Sequence, residues 1–149
     1  MPAVALRREG DWWFGDSPAD LDAYLAENGA DGYDTHEVRH SVCRPCGGTV
    51  FRVFEYRDMG AAVLRECVAC AGRHHIADSA DYWDDDGRAQ SVCACEEEPA
   101  NVAVGFSLYA DRMGIRSLAV ATRCTVCGRM GCVAEWMLRT GDLEPLDTA

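Results

Sequence analysis

Lysine is missing from these 149 residues, and every full positive charge belongs to one of 14 arginines. That absence excludes Schiff-base enzymes, a phosphate-binding P-loop lysine and lysine-based catalytic pairs. With 25 Asp and Glu opposing the arginines, the formal charge is −11. A general nucleic-acid binder needs a basic face to neutralise phosphates, so no nucleic acid is expected as partner. Long apolar runs are missing as well. No apolar core of roughly 7–15 residues follows the charged start, so no signal peptide is read there. No window approaches the ~18 apolar residues of a membrane helix, so no membrane partner is expected. The expected compartment is cytoplasmic and reducing, where clustered cysteines read as metal ligands before disulfides. The motifs G-x-S-x-G, H-E-x-x-H, G-x-G-x-x-G and the P-loop are also absent, which removes the commonest hydrolase, nucleotide and metalloprotease readings. Both Lys codons are A-rich, so a lysine-free chain with 21 Ala points to a bacterial gene of high GC content.

What is present is cysteine. Nine of them fall into four close pairs and one remainder. Cys43-Arg-Pro-Cys46 and Cys67-Val-Ala-Cys70 form a C-x2-C-x20-C-x2-C pattern, at the edge of the usual zinc spacing. Cys93-Ala-Cys95 and Cys124-Thr-Val-Cys127 follow with 28 residues between them. Zinc takes four thiolates in a tetrahedron at ~2.3 Å, supplied by two tight turns that a β-hairpin brings together. Gly47 and Gly128 directly follow a second cysteine, where a residue of positive φ turns backbone N–H groups toward the sulfurs. Ala71 and Glu96 stand at the corresponding places in the other two pairs, which makes the C-x-C pair the weakest turn. The chemistry therefore predicts two metal ions per chain, held by Cys43, Cys46, Cys67 and Cys70 and by Cys93, Cys95, Cys124 and Cys127. Iron is the alternative to zinc, because it also accepts four thiolates.

Cys43-Arg-Pro-Cys46-Gly47 with Cys67-Val-Ala-Cys70 resembles a zinc ribbon, and Cys93-Ala-Cys95 with Cys124-Thr-Val-Cys127-Gly128 resembles a second. Together they span about residues 40–138. The stretch is similar to small bacterial proteins with two tandem ribbons. That resemblance implies a fold and a metal but no activity, since ribbons serve transcription, translation, enzyme lids and scaffolding alike.

Periodicity agrees with a mostly β, small α+β chain. Val50 to Tyr56 is rich in aromatic and β-branched residues, Asp58-Met59-Gly60 reads as a turn, and 61–66 as the return strand. Val102, Val104, Phe106 and Leu108 alternate with smaller residues, Asp111-Arg112-Met113-Gly114 turns the chain, and 117–123 returns to Cys124. Cys132, Ala134, Trp136 and Leu138 then fall on one face of a third strand. Residues 76–82 are a candidate junction between the two units. Ser17-Pro18 begins a short helix at about 18–27, stopped by Asn28-Gly29. The expected layout is an N-terminal segment (1–39), a first ribbon (40–79), an acidic connector (80–92), a second ribbon (93–138) and a frayed tail (139–149).

Other residues carry two readings each. His74 and His75 are extra ligands or a general base, or else they cap a turn beside the cysteines. His36 and His40 are weaker versions of the same choice. Cys132 is an extra ligand or reactive thiol, or, as its strand partners favour, a buried apolar cysteine. Asp84-Asp85-Asp86-Gly87 lacks the alternation and closing Glu of a calcium loop. Trp12-Trp13-Phe14 is an exposed partner-binding cluster or the seam that packs the N-terminal segment. Asp78, Asp81, Asp84, Asp85, Asp86, Glu96, Glu97 and Glu98 gather against Arg88 alone. They form a solvated connector or a docking face for a basic partner. The function expected is a non-enzymatic, zinc-stapled protein that binds another protein, as an accessory, scaffold or immunity-type module. An enzyme or enzyme subunit with zinc, and a thiol redox or zinc sensor, are the alternatives.

Overall fold

The structure is a computed structural model that describes residues 6–29, 32–56, 62–138 and 143–149. The chain is mostly β. Its strands are β1 (Arg7–Glu9), β2 (Trp12–Phe14), β3 (Glu37–His40), β4 (Phe51–Tyr56), β5 (Ala62–Cys67), β6 (Arg73–His75), β7 (Arg88–Ser91), β8 (Ala100–Leu108), β9 (Ile115–Cys124) and β10 (Arg129–Met137). One helix, α1 (Asp20–Asn28), interrupts them. The expected turn at Asp58-Met59-Gly60 lies outside the described residues.

The ten strands form one sheet, in the order β1-β2-β10-β9-β8-β4-β5-β6, with β3 added to β8 and β7 to β4. Its registers expose a repeat. In each half a cysteine turn is followed by a strand that begins five residues after the second cysteine, at Phe51 and at Ala100. That first residue faces the opening cysteine of the next turn, Phe51 opposite Cys67 and Ala100 opposite Cys124. A third strand then leaves each turn, β6 in one half and β10 in the other. The halves meet where Phe51 pairs antiparallel with Ala100, its own counterpart. Each half also lends the other the strand before its first cysteine. His40 pairs with Ala103, and Gln90 pairs with Phe54, at matching distances from the cysteines. The halves are thus related by an approximate two-fold axis with exchanged strands, and the chain passes from one to the other through 76–82.

Two apolar clusters sit on opposite faces. On one, Phe51, Val53, Val63, Val102, Val104, Phe106, Ile115, Leu118 and Trp136 pack together from β4, β5, β8, β9 and β10, with Cys43 and Cys67 among them. On the other, Leu21, Tyr24 and Leu25 of α1 cover Ala103, Ala119, Ala121 and Met130. The small residues that alternate along β8 and β9 make room for the helix. At Gly105 an added Cβ would lie 3.1 Å from the Leu25 and Thr35 side chains. This is why β8 is buried along its whole length rather than on one face.

The helix begins two residues later than expected, after a turn in which Asp20 N–H bonds the Ser17 carbonyl. Ser17 does not cap it; instead the Asp20 carboxylate reaches back and accepts from the Asp16 and Ser17 backbone N–H groups at 2.8 and 3.1 Å. That is the returning half of a capping box. Trp13 and Phe14 form the seam, pairing with Met130 and Arg129 of β10, while Trp12 stays exposed.

Three expectations need correction. The described tail, 143–149, is docked rather than frayed. Arg44 donates to the Asp147 carbonyl at 2.7 Å, Arg65 donates twice to the Ala149 oxygen, and the Ala77 N–H bonds the Thr148 carbonyl. Leu146 and Ala149 pack on the larger cluster. The acidic connector is not bare linker, since β7 lies within it and Asp78 is buried, accepting from Trp136 Nε1 at 3.0 Å. Cys132 is exposed. A β-bulge between Cys132 and Ala134 inserts one residue into β10 and shifts the alternation, so Cys132 no longer shares a face with Trp136.

Asp78→Ala would strand the buried indole N–H of Trp136. Chemical denaturation is expected to show a loss of about 1–3 kcal/mol, the cost of an unsatisfied buried donor. An unchanged midpoint would mean that this bond contributes nothing.

Candidate metal centres

Each hairpin brings its two cysteine turns together. Cys43, Cys46, Cys67 and Cys70 have all four sulfurs within 4.8 Å of one another, and so do Cys93, Cys95, Cys124 and Cys127. The closest pairs are Cys43–Cys70 and Cys46–Cys67 at 3.5 Å, Cys93–Cys127 at 3.5 Å and Cys95–Cys124 at 3.6 Å. A metal at ~2.3 Å from four thiolates makes a tetrahedron with edges of ~3.8 Å, so the sulfurs already stand near the spacing an ion requires. All eight predicted ligands fall in these two groups, and each group could hold a metal ion.

The turns share one construction. In the first, Cys43 N–H bonds the Gly48 carbonyl at 2.8 Å and Gly47 N–H bonds the Cys43 carbonyl at 2.6 Å. The second repeats both bonds, from Cys67 to Gly72 and from Ala71 to Cys67. In the C-x-C turn, the Glu96 N–H bonds the Cys93 carbonyl; in the last turn, the Gly128 N–H bonds that of Cys124. The residue after each second cysteine has positive φ: Gly47 (76°), Ala71 (63°), Glu96 (73°) and Gly128 (81°). Glycine is therefore not required there, because Ala71 and Glu96 adopt the same conformation at a cost of roughly 1–2 kcal/mol each. The glycines one position further on have a different role. A Cβ at Gly48 would lie 3.0 Å from the Cys67 sulfur and 3.3 Å from that of Cys46, and one at Gly72 3.2 Å from that of Cys70. Both glycines are cradles for sulfur, and the Gly72 N–H also donates to Cys70 at 3.4 Å.

Electrostatics within each group alternate. The Cys70 backbone N–H, with help from that of Ala69, holds the Cys67 thiol down at about 7. Cys46 is pushed up to about 12: the Gly48 backbone N–H favours its thiolate, but hydrogen bonds with Cys67, Cys43 and Cys70 outweigh it. In the second group, burial raises Cys124, yet the Cys127 and Val126 N–H groups and the facing thiols bring it to about 7. Burial together with the neighbouring thiols sends Cys93 to about 12. Four crowded sulfurs cannot all ionise without a cation between them. A divalent ion removes that obstacle, and four thiolates close its coordination sphere.

The histidines stand aside from both groups. His74 Nε2 lies 2.9 Å from the Thr148 carbonyl, and His75 packs edge-on against Trp83 with burial lowering its pKa. His36 Nδ1 accepts from the Leu108 N–H, and His40 faces Asp22 at 2.7 Å. The side chain that sequence reasoning missed is Arg65. It is 4 % exposed, its guanidinium stacks 4.7 Å over the Phe51 ring, and it interacts with Cys43 and Cys67. The available signal was its place between Val63 and Cys67 on the buried face of β5. No family model, curated protein or solved structure matches the chain.

Ala71→Gly is expected to raise stability by up to ~1 kcal/mol, the relieved strain less the added unfolded-state entropy. Gly128→Ala must lower it, because its Cβ would meet the Gly15 carbonyl at 2.7 Å. Thermal denaturation of the two variants under metal-saturating conditions checks the pair; loss of stability at Ala71→Gly would contradict the strain assignment.

Proposed function

We propose that both groups hold zinc and that the chain is a non-enzymatic, zinc-stapled protein that binds a protein partner, as an accessory, scaffold or immunity-type module. The observation that carries the metal half of this reading is the pair of closed four-cysteine sets. Four thiolates leave no open position for water or substrate, so zinc here serves folding rather than hydrolysis. The same closure counts against a zinc enzyme, and the pairing of every C-x-x-C or C-x-C turn with a second turn counts against a dithiol redox couple.

The partner half rests on charge. Asp81, Asp84, Asp85, Asp86, Glu96, Glu97 and Glu98 are all exposed, and Asp78 is withdrawn into the core. Arg88 lies 3.7 Å from Asp85 and Arg52 3.4 Å from Glu98, so compensation is thin. Each divalent tetrathiolate carries about −2, which makes the loaded chain more acidic still. A basic protein surface is the matching partner, reached in a reducing, cytoplasmic setting. No helix among the described residues is long and apolar enough to cross a membrane.

Elemental analysis of purified protein is expected to find two zinc ions per chain; one ion or none would sink the reading, and a red-brown colour would replace zinc by iron. Complete removal of both ions is expected to abolish the near-ultraviolet dichroism, because Cys43 and Cys67 belong to the main core. For the partner, Asp84→Asn, Asp85→Asn and Asp86→Asn together should slow association with a basic protein captured from the native host and leave zinc content unchanged. Association should also slow steeply between low and physiological salt, where screening acts over ~8–10 Å. Binding indifferent to both changes would remove the acidic face from the reading.

A further inference from the structure

The two-fold relation between the halves makes the two centres directly comparable, and their surroundings differ at equivalent positions. Two residues before Cys67 stands Arg65, a buried cation; two residues before Cys124 stands Thr122. After the second cysteine of its opening turn, the first centre has Gly47-Gly48, and the second has Glu96-Glu97-Glu98. One cysteine group therefore has a buried positive charge on the same face of its strand as Cys67, and the other has three carboxylates in its own turn.

The tail adds a second difference: it is bonded to side chains that flank the first centre, whose Cys46 and Cys70 are themselves exposed. Arg44, inside the Cys43–Cys46 turn, holds the Asp147 carbonyl, and Arg65 holds the Ala149 oxygen at 3.0 and 3.2 Å. His74, four residues past Cys70 and leaving that turn on β6, is bonded to the Thr148 carbonyl. Three successive backbone oxygens are thus tied to side chains that flank the centre. A cavity of about 140 Å³ beside the second centre is lined by Cys93, Cys124, Glu97 and Arg129, whereas one of about 230 Å³ at the tail is lined by Arg44, Arg65 and Asp147 and by no cysteine. The Arg129 guanidinium is engaged elsewhere, 3.3 Å from the Trp12 ring centroid. Cys95 is exposed, as Cys46 and Cys70 are at the first centre, but its turn is the shorter C-x-C one.

We propose that the two centres are unequal: the first is a latched structural centre with Arg65 as its buried counter-cation, and the second is exchangeable, yielding its zinc to a competing chelator while the tail stays docked. This rests on the reading that each group holds a divalent ion. Transfer of the ion leaves four cysteines that take up protons from water, so no oxidant is involved. Arg65 acts as a positioning residue, because it touches the sulfurs' surroundings and the tail but supplies no ligand.

The test uses the full-length zinc-loaded protein and a chromogenic zinc chelator. Two release phases are expected, separated by about tenfold or more, the effect usual for groups that support a metal's ligands. Alkylation during the fast phase, read by peptide mass spectrometry, should label Cys93, Cys95, Cys124 and Cys127. Hydrogen exchange at 143–149 should rise only with the slow phase. Arg65→Met should accelerate the slow phase about tenfold and free the tail, leaving the fast phase alone. Arg65→Lys should fall between, since it keeps the charge and loses the planar fork. Should Arg65→Met fail to fold, deletion of 143–149 replaces it, with the same expected acceleration of the slow phase. A starting content below two ions would overturn the two-zinc reading and this inference together. Two ions released in one phase, or from Cys43, Cys46, Cys67 and Cys70 first, would overturn the inference alone.

Discussion

Four sulfurs crowded within 4.8 Å is an arrangement a reduced chain cannot hold on its own terms. Ionised, they repel; protonated, they have little to bind them together. A divalent cation reverses both problems, and much of this chain is organised around making that reversal possible twice. The tight turns aim backbone N–H groups at thiolates. Glycines 48 and 72 leave space for the sulfurs, and hairpins of fixed register bring distant turns face to face. Where the ideal glycine is absent, at Ala71 and Glu96, the turn geometry is kept and the backbone strain accepted. The requirement for a tetrahedron outweighs local conformational preference by the difference between roughly 1–2 kcal/mol of strain and the ~10–16 kcal/mol that a structural zinc can supply.

Exchange of strands across the approximate two-fold axis makes the two units inseparable. Because β3 completes the second unit and β7 the first, neither half owns all the strands it needs. The larger cluster likewise draws on both hairpins. A chain of this kind escapes the usual weakness of small isolated hairpins, which bury too little apolar surface alone. Two modest hairpins share one core, and α1 closes the other face over residues kept small for it.

The cysteine spacing and the alternation of Val102, Val104, Phe106 and Leu108 made the two metal groups and the long hairpin legible in the sequence. Those signals are local: ligand spacing within a turn, and period two within a strand. What escaped was non-local. Short strands such as β3 and β7 have no periodicity of their own and exist because the opposite unit offers an edge. Cys132 was misplaced because a bulge is a single inserted residue, invisible to a count of alternate positions. The tail looked frayed because its composition is polar, yet its backbone oxygens are what the structure uses, and composition carries no information about backbone acceptors. Arg65 escaped for a related reason, since its partners are the Phe51 ring and the Val42 and Ala149 backbone oxygens, which only the fold brings to it.

Charge is where the two halves part company. Both centres gain about two negative charges on loading, but the fold distributes the response unevenly. Near the first, buried Arg65 and exposed Arg44 hold the tail, and the charge of Arg65 is internal. Near the second, Glu96, Glu97 and Glu98 lie exposed in one of its own turns, ten residues beyond the acidic run that ends at Asp86. Repulsion of that kind weakens the metal site and strengthens the field outside it. The features that make the second centre the less secure are therefore the ones that would attract a basic protein.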